Sequence, residues 1–575
     1  MDKKQVIKIL TEIAVLLELK DENPFKIRAY QNAARALETS SINLDQNTTL
    51  GQLTAIKGIG SSTAHKILAL VKEGELDLYQ NLAQSVPPGL VEMLKIPTLG
   101  PKKIKFIYEV LNIDNISELE LACQENKLAG LPNFGFKTQE NVLNGIKAVK
   151  IFSKSFLYAD IYEQAHGVLE GIRKHNMVKI AHIAGSMRRK KEIVKDVDIV
   201  AATDNPGNIM KYFISLDQAA EIIAHGDKKT SIKLDSGINV DMRAVKPNQY
   251  PYALHHFTGS KEHNTAMRSM SRKMGIKINE YGLFRNGKLI KCENEHAFFK
   301  VFSMDYIPPE LRENYGELEA ARNGKLPRLV AAEQIKGIFH IHTRFSDGNM
   351  TIMQACRKLQ EMGMEYAGIS EHSKTAAYAR GLKQSSIQEY LKEIEKAEQE
   401  LEGFTVFKGI ESDILPNGDL DYSDDILKLF DFVIIAIHSH FNMSEEAMTE
   451  RIIKATQKRH ATMLAHPSGR ILLARDPYKV NILKIIDAAA KNNVGLEINA
   501  NPHRLDLDWR MLKYAKDKKI KLFINPDAHH LENLNDYIYG INIARKGWLE
   551  ASDVANTMGV DKMKEYLKVM KGKLL

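Results

Sequence analysis

The chain has 575 residues, 44% hydrophobic and 26% charged, with a formal net charge of +8. That length exceeds a single core, so about three to five domains are expected, and the composition is ordinary for a soluble globular protein. The surplus of positive charge mildly favours a polyanionic partner. Three cysteines, Cys123, Cys292 and Cys356, lie far apart without C-x-x-C spacing. They exclude a disulfide framework and a cysteine zinc site and suit a reducing cytosol.

The first segment, MDKKQVIKILTEIAVLLELKDEN, carries apolar residues at helical spacing interrupted by Lys8, Glu12 and Glu18. It reads as an amphipathic helix, not a signal peptide, and no membrane span is expected elsewhere. PFKIRAYQNAARAL (24–37) is a second helix with Lys26, Arg28 and Arg35 on its surface. Three later segments share one pattern: AIKGIGSSTAHKIL (55–68), LKIPTLGPKKIKFI (94–107) and LAGLPNFGFKTQENVL (128–143). Each makes a tight turn through glycine (Gly58 and Gly60, Gly100, Gly135) and then opens a helix. The unpaired N–H groups at such a helix start suit phosphate oxygens and can grip a nucleic-acid backbone without reading bases. Lys102, Lys103 and Lys105 follow the second turn. All three are read as helix–hairpin–helix elements. Lys66, on the first of these helices, is a candidate Schiff-base nucleophile.

HIAGSMRRKKEIVKDVDIVAAT (182–203) reads as strand, Gly-Ser turn, basic segment, strand. Gly185 and Ser186 would offer a backbone N–H and a hydroxyl to a phosphate, with Arg189 adding a fork of donors. Asp196 and Asp198 share one strand face while Val197 and Ile199 take the other. An exposed polar face explains a lone D-x-D, but GINVDMRAV (237–245) supplies a third carboxylate, Asp241, and puts Arg243 on the same strand face, where it is expected to hold a carboxylate in place. Three carboxylates would hold two Mg²⁺ ions for in-line phosphoryl transfer.

Beyond residue 335 apolar strands alternate with amphipathic stretches such as 385–402 and 481–492, and each strand ends in ligand-type residues. GIFHIHTRFSDG gives His340, His342 and Asp347; YAGISEHS gives His372; FKGIESD gives Glu411. FVIIAIHSH gives His438 and His440, ATMLAHPSG His466, GLEINANP Glu497 and Asn499, and LFINPDAHH Asp527 and His529. That order predicts a barrel whose working residues gather at the C-terminal rim. Imidazole and carboxylate without thiolate suit Zn²⁺, Mn²⁺ or Fe²⁺, and so many donors imply about two or three ions.

Residues 1–316 resemble the family X DNA polymerases, through GSMRR, DVD, NVDMR and the thumb-like HFTGSKEHNTAMRSMSRKMGIKINEYGLF (256–284). The resemblance implies that Asp196, Asp198 and Asp241 bind Mg²⁺ or Mn²⁺, and that Gly185, Ser186 and Arg189 hold the triphosphate. It further implies that Phe257, Gly259 and Asn264 line the nucleotide, and that Arg268 reaches the template. Lys66 matches the lysine of the family's 5′-deoxyribose-phosphate lyase domain. Lys195 stands where the family has a small residue, His256 where it often has tyrosine, and Ser62 where a relative carries a phosphate-binding lysine. Residues 333–575 resemble the PHP (polymerase and histidinol phosphatase) domain through H-x-H-T-x-x-S-D-G, EHS, HSH, AHP and DAH in order. By that resemblance the metal ligands are His340, His342, Asp347, His372, Glu411, His438, His466, Asp527 and His529, with His440, Arg470 and Arg504 as candidates for substrate phosphate.

The expected architecture is multidomain. Helix–hairpin–helix units span 1–82 (lyase-like) and 83–150 (fingers), followed by an α+β nucleotidyltransferase palm (151–247), a thumb (248–316) and a linker (317–335). A distorted (β/α)7 TIM-like PHP barrel occupies 336–575. The expected function is templated filling of short DNA gaps in base excision repair, with metal-dependent 3′-5′ exonuclease trimming and cutting at abasic sites. The expected partners are gapped or primer–template DNA and dNTPs, and the expected setting is a monomer near the nucleoid in a bacterial cytoplasm. Rivals are a nuclease with a vestigial polymerase half, a small-molecule phosphatase, a silent DNA-binding scaffold and a template-independent nucleotidyltransferase.

Overall fold

The same turn occurs three times in the helical N-terminal part. Ile59 N–H bonds the Ile56 carbonyl, Leu99 that of Ile96, and Phe134 that of Leu131, at 3.1–3.2 Å. The residue two places into each turn has a left-handed backbone: Gly58 at φ +107°, Thr98 at +78° and Asn133 at +68°. Glycine and asparagine tolerate that region. Gly60 and Gly100 then cap the helices Ser61–Glu73 and Pro101–Leu111 without a side-chain acceptor, and Gly135 opens Gly135–Phe152.

The computed structural model describes residues 1–40, 42–45, 47–152 and 155–571. The chain divides into two compact units, 1–154 and 155–575. The last four residues of the expected barrel domain, 572–575, lie outside the described residues. Within the first unit the helix Lys3–Leu19 starts on a capping box, Asp2 with Gln5, and Pro24–Thr39 starts on Asn23 with proline in its first turn. One hydrophobic cluster runs from Val6 to Val149, so the helices expected at 1–82 and 83–150 share a continuous core.

The second unit begins with a five-stranded sheet: β1 (Val178–Ile183), β2 (Asp196–Thr203), β3 (Glu221–Ala224), β4 (Lys229–Lys233) and β5 (Asn239–Val245), ordered β1-β2-β5-β4-β3. Only β2 and β5 pair in parallel. Val197 and Ile199 of β2 are fully buried, in one cluster with Ile161, Val168, Ile209 and Phe213 from the helices Tyr158–Arg173 and Pro206–Ile214. Val200 and Ala202 on the opposite face pack against Ala253 and Leu254 of the helix Tyr250–Thr258. A three-stranded antiparallel sheet follows, β6 (Ile276–Asn279), β7 (Gly282–Arg285) and β8 (Lys288–Ile290). The segment expected as a linker is packed: Glu317 is fully buried with its Oε1 2.7 Å from His263 Nδ1, and Leu318 and Ala321 join the cluster of Phe298 and Phe299.

Seven parallel strands then form the barrel in sequence order: β9 (Gly337–Ile341), β10 (Tyr366–His372), β11 (Thr405–Asp413), β12 (Phe432–Ala436), β13 (Met463–Leu464), β14 (Gly495–Asn499) and β15 (Leu522–Asn525). A parallel bridge between Ile341 and Ala528 brings the last strand back to the first. Strands covered on both faces read as continuous apolar runs, and every residue of β9, β10, β12 and β14 is buried. The interior is filled by rings, with Phe339 within 6 Å of the centroids of Tyr366, Phe407, Phe432 and Phe523. Gly368 makes room for one of them, since a Cβ there would sit 2.0 Å from the Phe339 ring. The terminal helix Val560–Lys571 adds Met563 and Leu567 to this cluster. Among the described residues no helix is long and apolar enough to cross a membrane.

Phe339→Ala should lower the unfolding free energy by about 3–5 kcal/mol through the cavity it leaves. Equilibrium urea unfolding followed in the far ultraviolet measures this, and a loss under about 1 kcal/mol would mean that the barrel interior collapses around the gap.

Candidate active sites: an aspartate cluster and a histidine–carboxylate centre

Parallel pairing of β2 with β5 sets Asp198 directly opposite Asp241, two residues along from the Asp196–Asn239 pair. Burial, then the neighbouring charges of Asp196 and Asp241, push the Asp198 carboxyl up to about 7. Burial and Asp241 raise Asp196 as well. Asp241 is held from both sides: Ser231 donates to Oδ1 at 2.6 Å and the Lys229 ammonium lies 2.6 Å from Oδ2. Gly185 must be glycine on two counts. Its φ is +58°, and a Cβ would stand 2.4 Å from Asp198 Oδ2. An all-oxygen set of crowded carboxylates fits Mg²⁺ or Mn²⁺.

Around this cluster Ser186 is half-buried in the short helix Gly185–Arg188, and Arg189 follows at its end. Arg189 is anchored, donating from Nη1 to the Thr258 carbonyl at 2.5 Å and from Nε to Glu313 at 3.1 Å. Arg243, expected to brace a carboxylate, lies 4.1 Å over the Phe257 ring; its charge opposes the rise at Asp198, and its buried Nε has no hydrogen-bond partner among the described residues. Asn264 donates to the His256 carbonyl at 2.7 Å while its buried Oδ1 has no partner among the described residues. Gly259 sits against Arg189, with space for a Cβ only 3.0 Å from Nη1. Arg268 lines a cavity of about 690 Å³ with Arg272, Lys277 and Asn279. Lys195 is exposed, and its charge is among those that oppose the rise at Asp196.

In the first unit Lys66 donates to Ser62 Oγ at 3.2 Å and lies 5.2 Å over the Tyr30 ring. Lys102 and Lys103 are exposed at the second hairpin, whereas Lys105 is tied to Asp21 and Glu109.

At the C-terminal rim of the barrel all nine expected ligands come together, in four overlapping groups whose donor atoms lie within 4.8 Å of one another. Glu411 is the hub. Its oxygens lie 3.2 Å from His340 Nε2, 3.5 Å from His342 Nε2, 2.7 Å from His372 Nδ1, 3.2 Å from His438 Nε2 and 3.1 Å from His466 Nε2. His342 is fully buried; its Nε2 lies 3.4 Å from Asp527 and 3.5 Å from Glu411, but neither ring nitrogen makes a hydrogen bond among the described residues, and burial with His372 and His529 nearby brings it down to about 3. A neutral, orphaned imidazole in such company is what a metal ligand requires. Burial opposes charge on Glu411, but His438 and His340 hold it well below the usual carboxylate range. Backbone strain accompanies the rim, with His340, His466 and Asp527 at φ +60°, +29° and +53°.

Outer partners orient three of the rings. His340 donates from Nδ1 to Glu497 at 2.6 Å, His438 from Nδ1 to Asp413 at 2.5 Å, and His529 from Nδ1 to the Asp527 carbonyl at 2.9 Å. Each turns Nε2 toward the centre. Asp413 was not among the sequence candidates, although it lies two residues after Glu411 on the same strand face. Glu371, also missed, is fully buried and accepts from Thr343 and Ser346, pinning the loop that carries Asp347. Of the phosphate candidates, Arg470 is committed elsewhere: it donates to Asp508 at 2.6 Å, to the Arg504 carbonyl at 3.0 Å and to the Leu505 carbonyl. Arg504 reaches the centre, its Nε 3.6 Å from Asp527, and His440 is exposed.

Helical hairpins, a sheet presenting crossed aspartates, and a seven-stranded parallel barrel with a histidine–carboxylate rim define the class: a family X nucleotidyltransferase joined to a PHP domain. Family profiles agree, matching a helix-hairpin-helix domain at 1–76, a SAM-like helix-hairpin-helix tandem at 90–148, a DNA polymerase beta thumb at 253–313 and a PHP domain at 339–501. The chain is 37% identical over 572 residues, 99% of its length and 100% of the relative's, to the DNA polymerase/3′-5′ exonuclease PolX of Bacillus subtilis (strain 168). It therefore belongs to the PolX family. A probable phosphatase of Thermoanaerobacter sp. (strain X514) is 27% identical over 41% of this chain and 95% of its own. A repair DNA polymerase X of African swine fever virus is 27% identical over 26% of this chain and 87% of its own.

Two outcomes test the geometry. Glu497→Gln should weaken metal retention at the barrel by about 10–100-fold, because both carboxylate oxygens accept, from His340 and Asn525 and from the His466 N–H and Asn499, and an amide NH2 in place of one of them faces donors and disturbs the His340 tautomer. Metal content after dialysis against graded chelator reads this, and unchanged retention would mean that Glu497 serves packing alone. Gly185→Ala should leave the fold intact but cut nucleotide addition by about 100-fold or more, since it displaces the Asp198 carboxylate by an ångström or so.

Proposed function

We propose that the chain is a templated DNA polymerase for short gaps that also trims 3′ ends at its barrel. The observation that carries this reading is the coexistence of two separate donor sets, carboxylates on β2 and β5 and imidazole–carboxylate groups on the barrel rim. Asp196, Asp198 and Asp241 would hold Mg²⁺ or Mn²⁺, which supplies Lewis acidity for attack of a primer 3′-hydroxyl on a dNTP α-phosphorus with loss of pyrophosphate. Ser231 and Lys229 keep Asp241 in register with Asp198, Gly185 gives Asp198 its space, and the Ser186 hydroxyl and Arg189 guanidinium bind the triphosphate. Phe257, Gly259 and Asn264 line the nucleotide, and Arg268 faces the template strand. The orphaned Arg243 Nε and Asn264 Oδ1 support a polar ligand there.

At the barrel the nine rim residues would hold two or three Mn²⁺, Zn²⁺ or Fe²⁺ ions, which supply hydrolytic activation at phosphorus. Glu497 and Asp413 fix the ring tautomers, and the half-buried Arg504 is placed to meet a phosphate. The hairpin glycines with Lys102 and Lys103 grip the backbone of gapped or primer–template DNA. Cleavage at abasic sites, lyase chemistry at Lys66, a monomeric state and a place beside a bacterial nucleoid complete the proposal. The phosphatase likeness, confined to 41% of the chain, favours phosphoester hydrolysis as the barrel's chemistry.

A one-nucleotide gapped duplex with labelled primer, Mn²⁺ and single dNTPs tests the division of labour. Asp198→Asn should abolish extension by at least about 100-fold and leave shortening intact; His342→Ala should do the reverse. Extension that survives Asp198→Asn would overturn the aspartate assignment, and shortening that survives His342→Ala would overturn that of the barrel.

A further inference from the structure

The barrel's outer helix Tyr537–Lys546 ends in two cations that reach past the barrel into the polymerase part. Arg545 donates to Glu310 at 2.8 Å and to the Val330 carbonyl at 3.0 Å. Lys546 has a fully buried side chain. Its ammonium donates to the Arg189 carbonyl at 2.9 Å, to Glu313 Oε1 at 2.8 Å and to the Glu310 carbonyl at 3.4 Å, and lies 4.8 Å over the Trp509 ring. Glu313 Oε1 is the same oxygen that receives Arg189 Nε. One buried carboxylate oxygen is therefore shared by a barrel lysine and by the arginine proposed to hold the triphosphate.

Charge counting gives that sharing a consequence. Arg189 and Glu313 alone form a neutral pair, and a nearly buried carboxylate with one cationic partner draws that guanidinium onto itself. With Lys546 also on Glu313, the trio carries one net positive charge, and Arg189 can answer an incoming phosphate without leaving Glu313 bare. Lys546 fixes geometry too, because its bond to the Arg189 carbonyl pins the backbone on which the guanidinium is mounted. We infer that Lys546, a residue of the PHP barrel, is a positioning residue for nucleotide addition: by binding Glu313 and the Arg189 carbonyl it holds Arg189 in place and leaves its charge available to the triphosphate. This rests on the proposed role of Arg189.

The test is steady-state gap filling by the full chain, with nuclease rate on single-stranded DNA and thermal unfolding measured on the same preparations. Lys546→Met should raise KM for dNTP about tenfold while kcat changes less than about threefold and the nuclease rate stays at the wild-type value. Adding Glu313→Gln to Lys546→Met restores the positive balance, so the double variant should have a lower KM than the single one. A merely structural role predicts the opposite, since two buried lesions would add. If Lys546→Met does not fold, Lys546→Gln, which keeps donors without the charge, carries the same expectations. A wild-type KM in folded Lys546→Met protein, or a double variant worse than the single, overturns the inference. Arg189→Lys separates the two levels: if it leaves KM unchanged, the triphosphate assignment fails and the inference with it. If it raises KM while Lys546→Met does not, only the relay through Lys546 fails.

Discussion

A fully buried carboxylate that lacks compensating charge costs several kcal/mol, and the barrel is organised around one ringed by five imidazoles. Glu411 is completely enclosed, with a ring nitrogen of His340, His342, His372, His438 and His466 within 3.5 Å. The arrangement is possible because the β-barrel places the end of every strand on one rim. His372 and Glu411 are register partners on neighbouring strands, and His438 follows the next strand, β12, by two residues. Imidazoles this close to one another and to carboxylates must each present a defined nitrogen. That requirement explains the surrounding ring of acceptors: Glu497, Asp413 and the Asp527 carbonyl take the outward N–H of three histidines. Strained backbone at His340, His466 and Asp527 persists because these bonds over-determine it.

The aspartate cluster solves the inverse problem. Like charges gather on β2 and β5, and the direct contacts of one lysine, Lys229, and one hydroxyl, Ser231, go to Asp241. At Asp198 burial and two neighbouring carboxylates outweigh the charges of Arg243 and Lys229, which is why its carboxyl is pushed up to about 7. The two centres consequently differ in hardness: oxygen alone in the sheet, nitrogen and oxygen on the barrel rim. The two donor sets are thus kept apart by chemistry as well as by fold, as the proposed division of labour requires.

Much of this was legible in the sequence because it follows from short-range rules. Period-two alternation placed Asp196 and Asp198 on one face, the glycine turns marked three hairpins, and apolar runs ending in histidine marked the barrel rim. What escaped was set by contacts across the chain. Arg243 looked like a carboxylate brace from its strand parity, but the Phe257 ring, brought in by the helix Tyr250–Thr258, captures it. Arg470 looked like a phosphate ligand beside AHPSG, but loop 504–508 absorbs its donors. Glu371 sits between Ser370 and His372, and nothing local says that its carboxylate faces Thr343 and Ser346.

The least legible part is the stretch 295–317, which bears no motif and yet carries the carboxylates that join palm, thumb and barrel. Glu295 accepts from Arg188 and from the fully buried Arg312; Glu310 pairs with Arg545, Glu313 with Arg189 and Lys546, and Glu317 with His263. Apart from Glu295–Arg312, which lies within the stretch, each pair crosses between elements distant in sequence, and all of these carboxylates are nearly or fully buried. Surface ion pairs would add about 0–1 kcal/mol apiece, whereas removing one partner of a buried pair costs about 3–5 kcal/mol. Sliding the barrel relative to the palm would strand several such charges at once. The palm and the barrel are therefore held as one body, which is the rigidity that the proposed relay from the barrel's Lys546 to Arg189 requires.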